Sequence, residues 1–342
     1  MKKVTMQNIA DELGISRNTV SKAINNVDGL AENTRKKILD KAIEMGYKHF
    51  SYIKGHSGSI SLARDRQKKG EIALLCGSAL SPAHFAEQML DQLKRDLSQW
   101  GYSLTAYRVE QKDFLCRSLP LAFDPARVCA VICVEMFDQA YDEMICTLGL
   151  PVLFVDGPNK RAGNSLPADQ LYMDNATPLV RFVNDMLVRG KRRIGFIGDY
   201  EHCQSFYERY TAFRYAMLMA GVPVEERFIL KTNSGEKLES IFEALPDLPD
   251  VFIGANDFIA TDAIYVLRKL GKAVPEDVMF CGFDNSPNSR ILTPTLTTVH
   301  IHTRVMAVSA LHLLLTRIEQ PDLDFRTVHT ETELIYRDST RQ

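Results

Sequence analysis

Arg17, Asn18 and Lys22 lie on one face of a short amphipathic stretch whose other face is Val20, Ala23 and Ile24. Ser21 and Asn25 share the polar face, and it carries no acid. These side chains suit one chemistry. Arg can donate a pair of hydrogen bonds to guanine and Asn can do so to adenine. Ser, Thr and Lys hold phosphates, which position a helix without reading sequence. The alternative is the plain polar surface of a three-helix bundle, which an acidic or mixed face would favour. A second set of polar residues is spread over the body. Asp156, Asn256 (with Asp257) and Asp284 each follow a short apolar run, and Arg209 opens a helix after the run ending at Gly198. Carboxylates with a guanidinium can grip vicinal hydroxyls in an open cleft, so removal of Arg209 or Asp284 should spare the fold. Alternatively, Asp or Asn in such places caps the next helix. Phe85, Phe137, Tyr200 and Phe258 could stack on a sugar face or belong to the core.

The elements that must position these groups fall into two classes. Thr5 can cap a first helix that buries Ile9, Ala10 and Leu13 and stops at Gly14. Ser16 can cap a second over residues 17–25, and a third, over 33–45, buries Ile38, Leu39 and Ile43. Two helices joined by a tight Gly-containing turn form a helix-turn-helix, whose second helix can enter a major groove. From residue 71, apolar runs at 71–76, 103–107, 128–134, 151–156, 192–198, 250–255 and 278–284 alternate with amphipathic helices. That alternation predicts α/β architecture with doubly wound parallel sheets, in two lobes. No GxGxxG follows the first strand, and no GxxxxGK[ST] or GxSxG motif occurs, which argues against a nucleotide-binding or hydrolase reading.

Charge divides the chain in the same way. Residues 1–70 carry 14 Lys and Arg against 7 Asp and Glu, while the remainder carries 27 against 36. A basic head on an acidic body fits a protein that touches a polyanion only through its head. The seven cysteines form no CxxC pair and the eight histidines are scattered. No cofactor, metal or disulfide is therefore expected, and reduced thiols point to the cytoplasm. No apolar run is long enough for a membrane span, and the N-terminus does not read as a signal peptide.

Residues 4–47, with VT…IA…GIS..TVS.A.N and then TR..I…A…GY, resemble the DNA-binding headpiece of the lactose-repressor (LacI/GalR) family. VLFVDGPN, MDNATPL, FIGANDFIATDAI, VMFCGFDNS and LTPTLTTV resemble signposts of that family's periplasmic-binding-protein-like sensor. The resemblance implies base reading by Arg17, Asn18 and Lys22, and phosphate contacts from Thr5, Ser16, Thr19, Ser21, Asn25 and Thr34. It implies effector contacts at Asp156, Arg209, Asn256 and Asp284, and a homodimer on a near-palindromic operator. The implied function is a transcription regulator, most often a repressor, controlled by a small effector such as a sugar. Two departures stand out: Lys22 replaces the usual Arg, giving a point charge for a fork, and Ala31 replaces a common capping Ser. The expected domains are a headpiece at 1–50, a basic linker at 51–70 and a sensor at 71–342. The first lobe would hold 71–160 and 292–320, and the second 161–291 and 321–338. Two other functions stay open: an enzyme with a DNA-binding head, and a regulator whose co-effector is a protein.

The linker departs most from the family pattern. Lys48, His49 and Phe50 replace the usual Pro-Asn, and Gly55, Gly58 and a serine cluster raise the cost of helix. A flexible cationic tether transmits distance poorly. Effector should then change operator affinity by less than about tenfold, or about 1.4 kcal/mol. The rival is a late helical turn offering Leu62 as a minor-groove wedge. Operator affinity of Leu62→Ser separates them: it should barely change on a tether, and a large loss would reveal a displaced hinge helix.

Overall fold

The computed structural model describes residues 5–24, 30–45, 69–77, 85–160, 163 and 165–341. The chain divides into two units, 1–67 and 68–342. In the first, Thr5 caps α1 (Met6–Leu13). Its hydroxyl accepts from the Asn8 amide at 3.3 Å, and the Asn8 side chain accepts from the Thr5 amide at 2.9 Å. Gly14 ends α1 at φ 62° with open space where a Cβ would sit, so the left-handed backbone selects glycine. The Ser16 hydroxyl accepts from the Thr19 amide at 3.1 Å and opens α2 (Arg17–Ile24); α3 (Glu32–Glu44) closes the bundle. Ile9, Ala10, Val20, Ala23, Ile38 and Ala42 form the buried core, with Leu13 and Leu39 against it. Asn25, Gly46, the Ile24 and Ile43 side chains, and residues 46–68 with Leu62 lie outside the described residues.

In the second unit, continuous apolar runs become strands covered on both faces. Five parallel strands come first: β1 (Gly70–Cys76), β2 (Tyr102–Arg108), β3 (Val128–Val134), β4 (Val152–Val155) and β5 (Asp169–Met173). On β3, Ala130, Ile132 and Val134 pack into one cluster while Val131 and Cys133 pack into a second. A second parallel sheet then forms from β6 (Ile194–Ile197), β7 (Ile229–Leu230), β8 (Val251–Gly254) and β9 (Met279–Cys281), in the order β7-β6-β8-β9. β10 (Thr298–Ile301) continues this layer through bridges Cys281–Thr297 and Asp284–His300. β11 (Thr327–Thr330) returns to the first sheet beside β5, and β12 (Thr332–Ile335) pairs antiparallel with β10.

The lobe limits expected from sequence shift accordingly. The first lobe takes residues through Met173 and regains β11, because β5 pairs with β4 and β11 pairs with β5. Residues 298–301 belong to the second, because β10 pairs with β12 and bridges the end of β9. A buried charge cluster fixes the first arrangement. Asp169, 1% exposed, receives Arg317 at 3.1 and 3.2 Å and the Arg326 amide at 2.8 Å. It thereby ties β5 to α12 (Thr303–Glu319) and to the approach of β11. Losing Arg317 would leave this core carboxylate with Arg326 as its one remaining arginine among the described residues.

Asp142 is the opposite case. It lies on α6 (Gln139–Cys146), is fully buried, and neither carboxylate oxygen has a hydrogen-bond partner among the described residues. Burial, with Asp138 nearby, pushes its carboxyl up to about 8. A folded-state value above the unfolded one means that stability present in acid is lost as pH rises from about 4 through about 8. The wild type should lose on the order of 2 kcal/mol from this group between about pH 6 and about pH 8. Asp142→Asn should remove that loss in urea melts at the two pH values; an unchanged slope would show that Asp142 is not the group responsible.

Candidate functional sites: a cationic helix face and a cleft between two sheets

On the first unit, Val20 and Ala23 turn inward and leave Arg17, Asn18 and Lys22 exposed, with Thr19 and Ser21 half-buried. Thr5 and Ser16 already serve as helix caps. Ser16 Oγ also lies 2.8 Å from Thr19 Oγ1, and Thr34 sits half-buried in the first turn of α3. The face can present Arg and Asn forks and a Lys point charge to a polyanion, with hydroxyls at its margin.

The second unit gathers polar residues at the carboxyl ends of its strands, where open α/β sheets bind ligands. Glu135 follows β3, Asp156 follows β4, Asn256 follows β8 and Asp284 follows β9. Glu135 and Asp156 have φ of 51° and Asp284 of 110°, so each carries backbone strain at its strand end. A cavity of about 490 Å³ opens between the lobes. Gln111, Phe114, Glu135, Phe137, Asp138 and Asp156 line it from the first lobe, and His202, Cys203, Phe206 and Asn256 from the second.

Of the four residues expected to hold an effector, Asp156 and Asn256 line this cavity. Asn256 also caps α10 (Asp257–Lys269), its Oδ1 accepting from the Ile259 amide at 3.0 Å. Asp156 is 4% exposed, and its Oδ1 accepts from Ser205 on α8 (Gln204–Met219) at 2.6 Å, a bond that crosses from lobe to lobe. Burial, then the Glu135 charge, push the Asp156 carboxyl up to about 7, against the pull of Ser205 and Arg209.

Arg209 and Asp284 are not among the lining residues. Arg209 is 2% exposed and acts as an internal brace. Its Nε donates to Asn175 at 2.8 Å, one terminal nitrogen donates to the Ala255 carbonyl at 2.7 Å, and the other lies 3.8 Å from Asp284. Its guanidinium sits 3.6 Å from the Phe283 ring centre. Asp257 is likewise internal, accepting from Thr298 at 2.6 Å and the Ser286 amide at 2.7 Å. Among the aromatics, Phe137 lines the cavity and meets His202 edge-on at 4.8 Å. Phe85 is core, Tyr200 stacks on Tyr210 at 4.2 Å, and Phe258 is half-buried outside the lining. Sequence reasoning missed Glu135, Gln111, Phe114, Phe206 and His202. Glu135 carried the same signal as Asp156, an acid after an apolar run.

The sequence pattern of bacterial regulatory proteins of the lacI family matches residues 5–49, and that of a periplasmic binding protein-like domain matches 183–340. The chain is 27% identical over 346 residues to the HTH-type transcriptional repressor PurR of Mannheimia succiniciproducens, covering 99% of each. Among solved structures it resembles the transcriptional regulator CelR–cellobiose complex, with TM-score 0.68 and 22% identity over 98% of this chain and 100% of that one. It also resembles the lac repressor dimer bound to operator and the anti-inducer ONPF, with TM-score 0.65 and 19% identity over 99% of each. Both structures share the fold.

The position of Arg209 changes what its removal should do. Arg209→Ala leaves the Ala255 carbonyl, Asn175 and Asp284 without their cation, so it should cost about 3–5 kcal/mol of folding stability. Denaturant melts measure this directly, and a stability loss under about 1 kcal/mol would show that the brace is dispensable.

Proposed function

We infer, from the premise that the chain belongs to the lacI family of bacterial regulatory proteins, that it is a cytoplasmic, effector-controlled transcription regulator acting as a repressor. The regulatory function and the absence of enzyme activity follow the family. The observation that carries the DNA half is the exposed acid-free face of α2, with Arg17, Asn18 and Lys22 presented on a helix-turn-helix. Arg17 and Asn18 are assigned to base edges, and Lys22 to a single charged bond. Thr5, Ser16, Thr19, Ser21, Asn25 and Thr34 are assigned to the flanking phosphates. One such helix covers only a few base pairs, so a homodimer on a near-palindrome supplies the specificity.

The cleft supports the other half of the reading. Its volume suits a mono- or disaccharide. Its carboxylates and amides can accept and donate to hydroxyls, while Phe114, Phe137 and Phe206 offer apolar faces to the C–H side of a sugar ring. Asp156 and Asn256 are assigned as the direct contacts, and Arg209 and Asp284 hold the strand end beside Asn256. None of the described helices is long and apolar enough to cross a membrane.

Asn18→Ala tests the DNA assignment. It should cost about 1–3 kcal/mol on the preferred site and relax preference at one base pair. Lys36→Ala, on the exposed side of α3, should weaken specific and random DNA alike if it acts at all. Equal losses on both DNAs for Asn18→Ala would mean that α2 does not read the bases.

A further inference from the structure

Asn285 stands where the end of β9 meets the crossover strands, and its carboxamide is held at both ends. It is buried, and its backbone is left-handed at φ 53°. Its amide donates to Thr298 Oγ1 at 3.2 Å. Arg337, just after β12, donates through one terminal nitrogen to Asn285 Oδ1 at 2.5 Å. The other terminal nitrogen donates to Ser289 Oγ at 3.1 Å and to the Leu296 carbonyl at 2.8 Å. A guanidinium offers donors only, so Arg337 sets the carboxamide with its oxygen toward itself and its nitrogen toward His300. Asn285 Nδ2 lies 3.1 Å from His300 Nδ1. The carboxamide nitrogen donates, so Nδ1 must accept, which a neutral imidazole can do and a protonated one cannot.

Charged groups reach His300 from each neighbouring segment. His302 meets its ring edge-on at 4.9 Å, and Glu333 is its register partner on β12. Arg290 on α11 (Pro287–Ile291) and Arg337 bring positive charge. Asp257, whose carboxyl burial pushes up to about 6, acts on Arg337 and accepts from Thr298 and the Ser286 amide. Asp284 is bridged to His300 through the backbone, and its carboxylate faces Arg209. Burial first, then His302, hold the His300 imidazole below the ordinary histidine value, against the pull of Glu333. A proton on Nδ1 would set two donors face to face. Turning the carboxamide over would only move that clash to Arg337.

We propose that His300 is a pH-sensitive latch at the crossover between the lobes. Neutral, it accepts from Asn285 and fastens the end of β9 to β10; protonated, it lets that bond go. β10 leaves for α12 at His302, and β12 arrives from β11 through Glu331, so the latch closes on both passages. The folded-state value is depressed, so the latch is whole above about pH 6.5, the ordinary histidine value, and is lost as pH falls through the lower one. On the reading that the cleft holds an effector, protons become a second input to the same sensor.

The test is amide hydrogen exchange of the full-length protein at about pH 7.5 and about pH 5, either side of the ordinary histidine value. It is followed in the peptide covering residues 282–286. There the Gly282 and Asp284 amides donate to the Thr297 and Val299 carbonyls, so their protection reports whether the end of β9 stays on β10. His300→Gln keeps an acceptor for Asn285 and cannot gain a proton. The two proteins should exchange alike at the higher pH, and wild type about tenfold faster at the lower. Comparison at a single pH cancels intrinsic exchange rates and the titration of Asp257, which both proteins keep. Should glutamine fit poorly, Asn285→Gly keeps the left-handed backbone and removes the latch. It should exchange about tenfold faster than wild type at the higher pH and equal it at the lower. Equal exchange of wild type and His300→Gln at the lower pH overturns the latch. So does equal exchange of wild type and Asn285→Gly at the higher. Neither result bears on the effector reading, since no effector is present.

Discussion

The buried guanidinium of Arg209 is the interaction on which the cleft depends. It joins α8 to the crossover residue Asn175, to the carbonyl at the end of β8 through Ala255, and to the end of β9 through Asp284. Four chain segments distant in sequence are thus held by one side chain. Gly282 reflects the same crowding: a Cβ there would lie 2.3 Å from Asp257 Oδ1. Only a glycine lets the end of β9 approach the carboxylate that receives Ser286 and Thr298. The end of β9 is over-determined by these contacts, which is the condition for keeping Asp284 in left-handed backbone.

Much of this was legible from periodicity and capping. The seven apolar runs expected as strands all hold strands, since a strand buried on both faces must be apolar at consecutive positions. Thr5, Gly14 and Ser16 mark helix limits because caps are local chemistry. β5, β7, β10, β11 and β12 were not seen. β5 opens on Asp169, whose burial makes sense only once Arg317 and Arg326 arrive from 148 and 157 residues away. β11 is an edge strand, exposed at Thr327 and His329 and half-buried at Val328, so it lacks the apolar signal. Those omissions displaced the lobe limits.

The cleft was legible as a location more than as a list. An acid after an apolar run marked Asp156, which lines the cavity, and the same rule would have found Glu135. It also marked Asp284, which faces Arg209 instead. Sequence position tells which strand end a residue occupies, and it does not tell whether the side chain turns toward the cavity or toward a neighbouring strand. Arg209 shows the difference in kind: the same guanidinium read as a ligand grip is a fold brace once its partners are counted.

The arrangement also sets how a cleft ligand acts on the protein. A ligand shifts an equilibrium between lobe arrangements only by its differential affinity for them. Here the lining comes from both lobes, so separating them would strip any bound molecule of half its partners. The lobes already share the Ser205–Asp156 bond, and the Lys160 amide donates to Gln204 at 2.8 Å. Both links run from the segment after β4 to the start of α8. At the crossovers, the Asp174 amide donates to the Thr330 carbonyl at 2.8 Å and Thr332 donates to the Asp174 carbonyl at 2.7 Å. Two of the connecting strands are therefore fastened to each other. The start of α8 is therefore the place where the lining of the cleft and the bonds between the lobes meet.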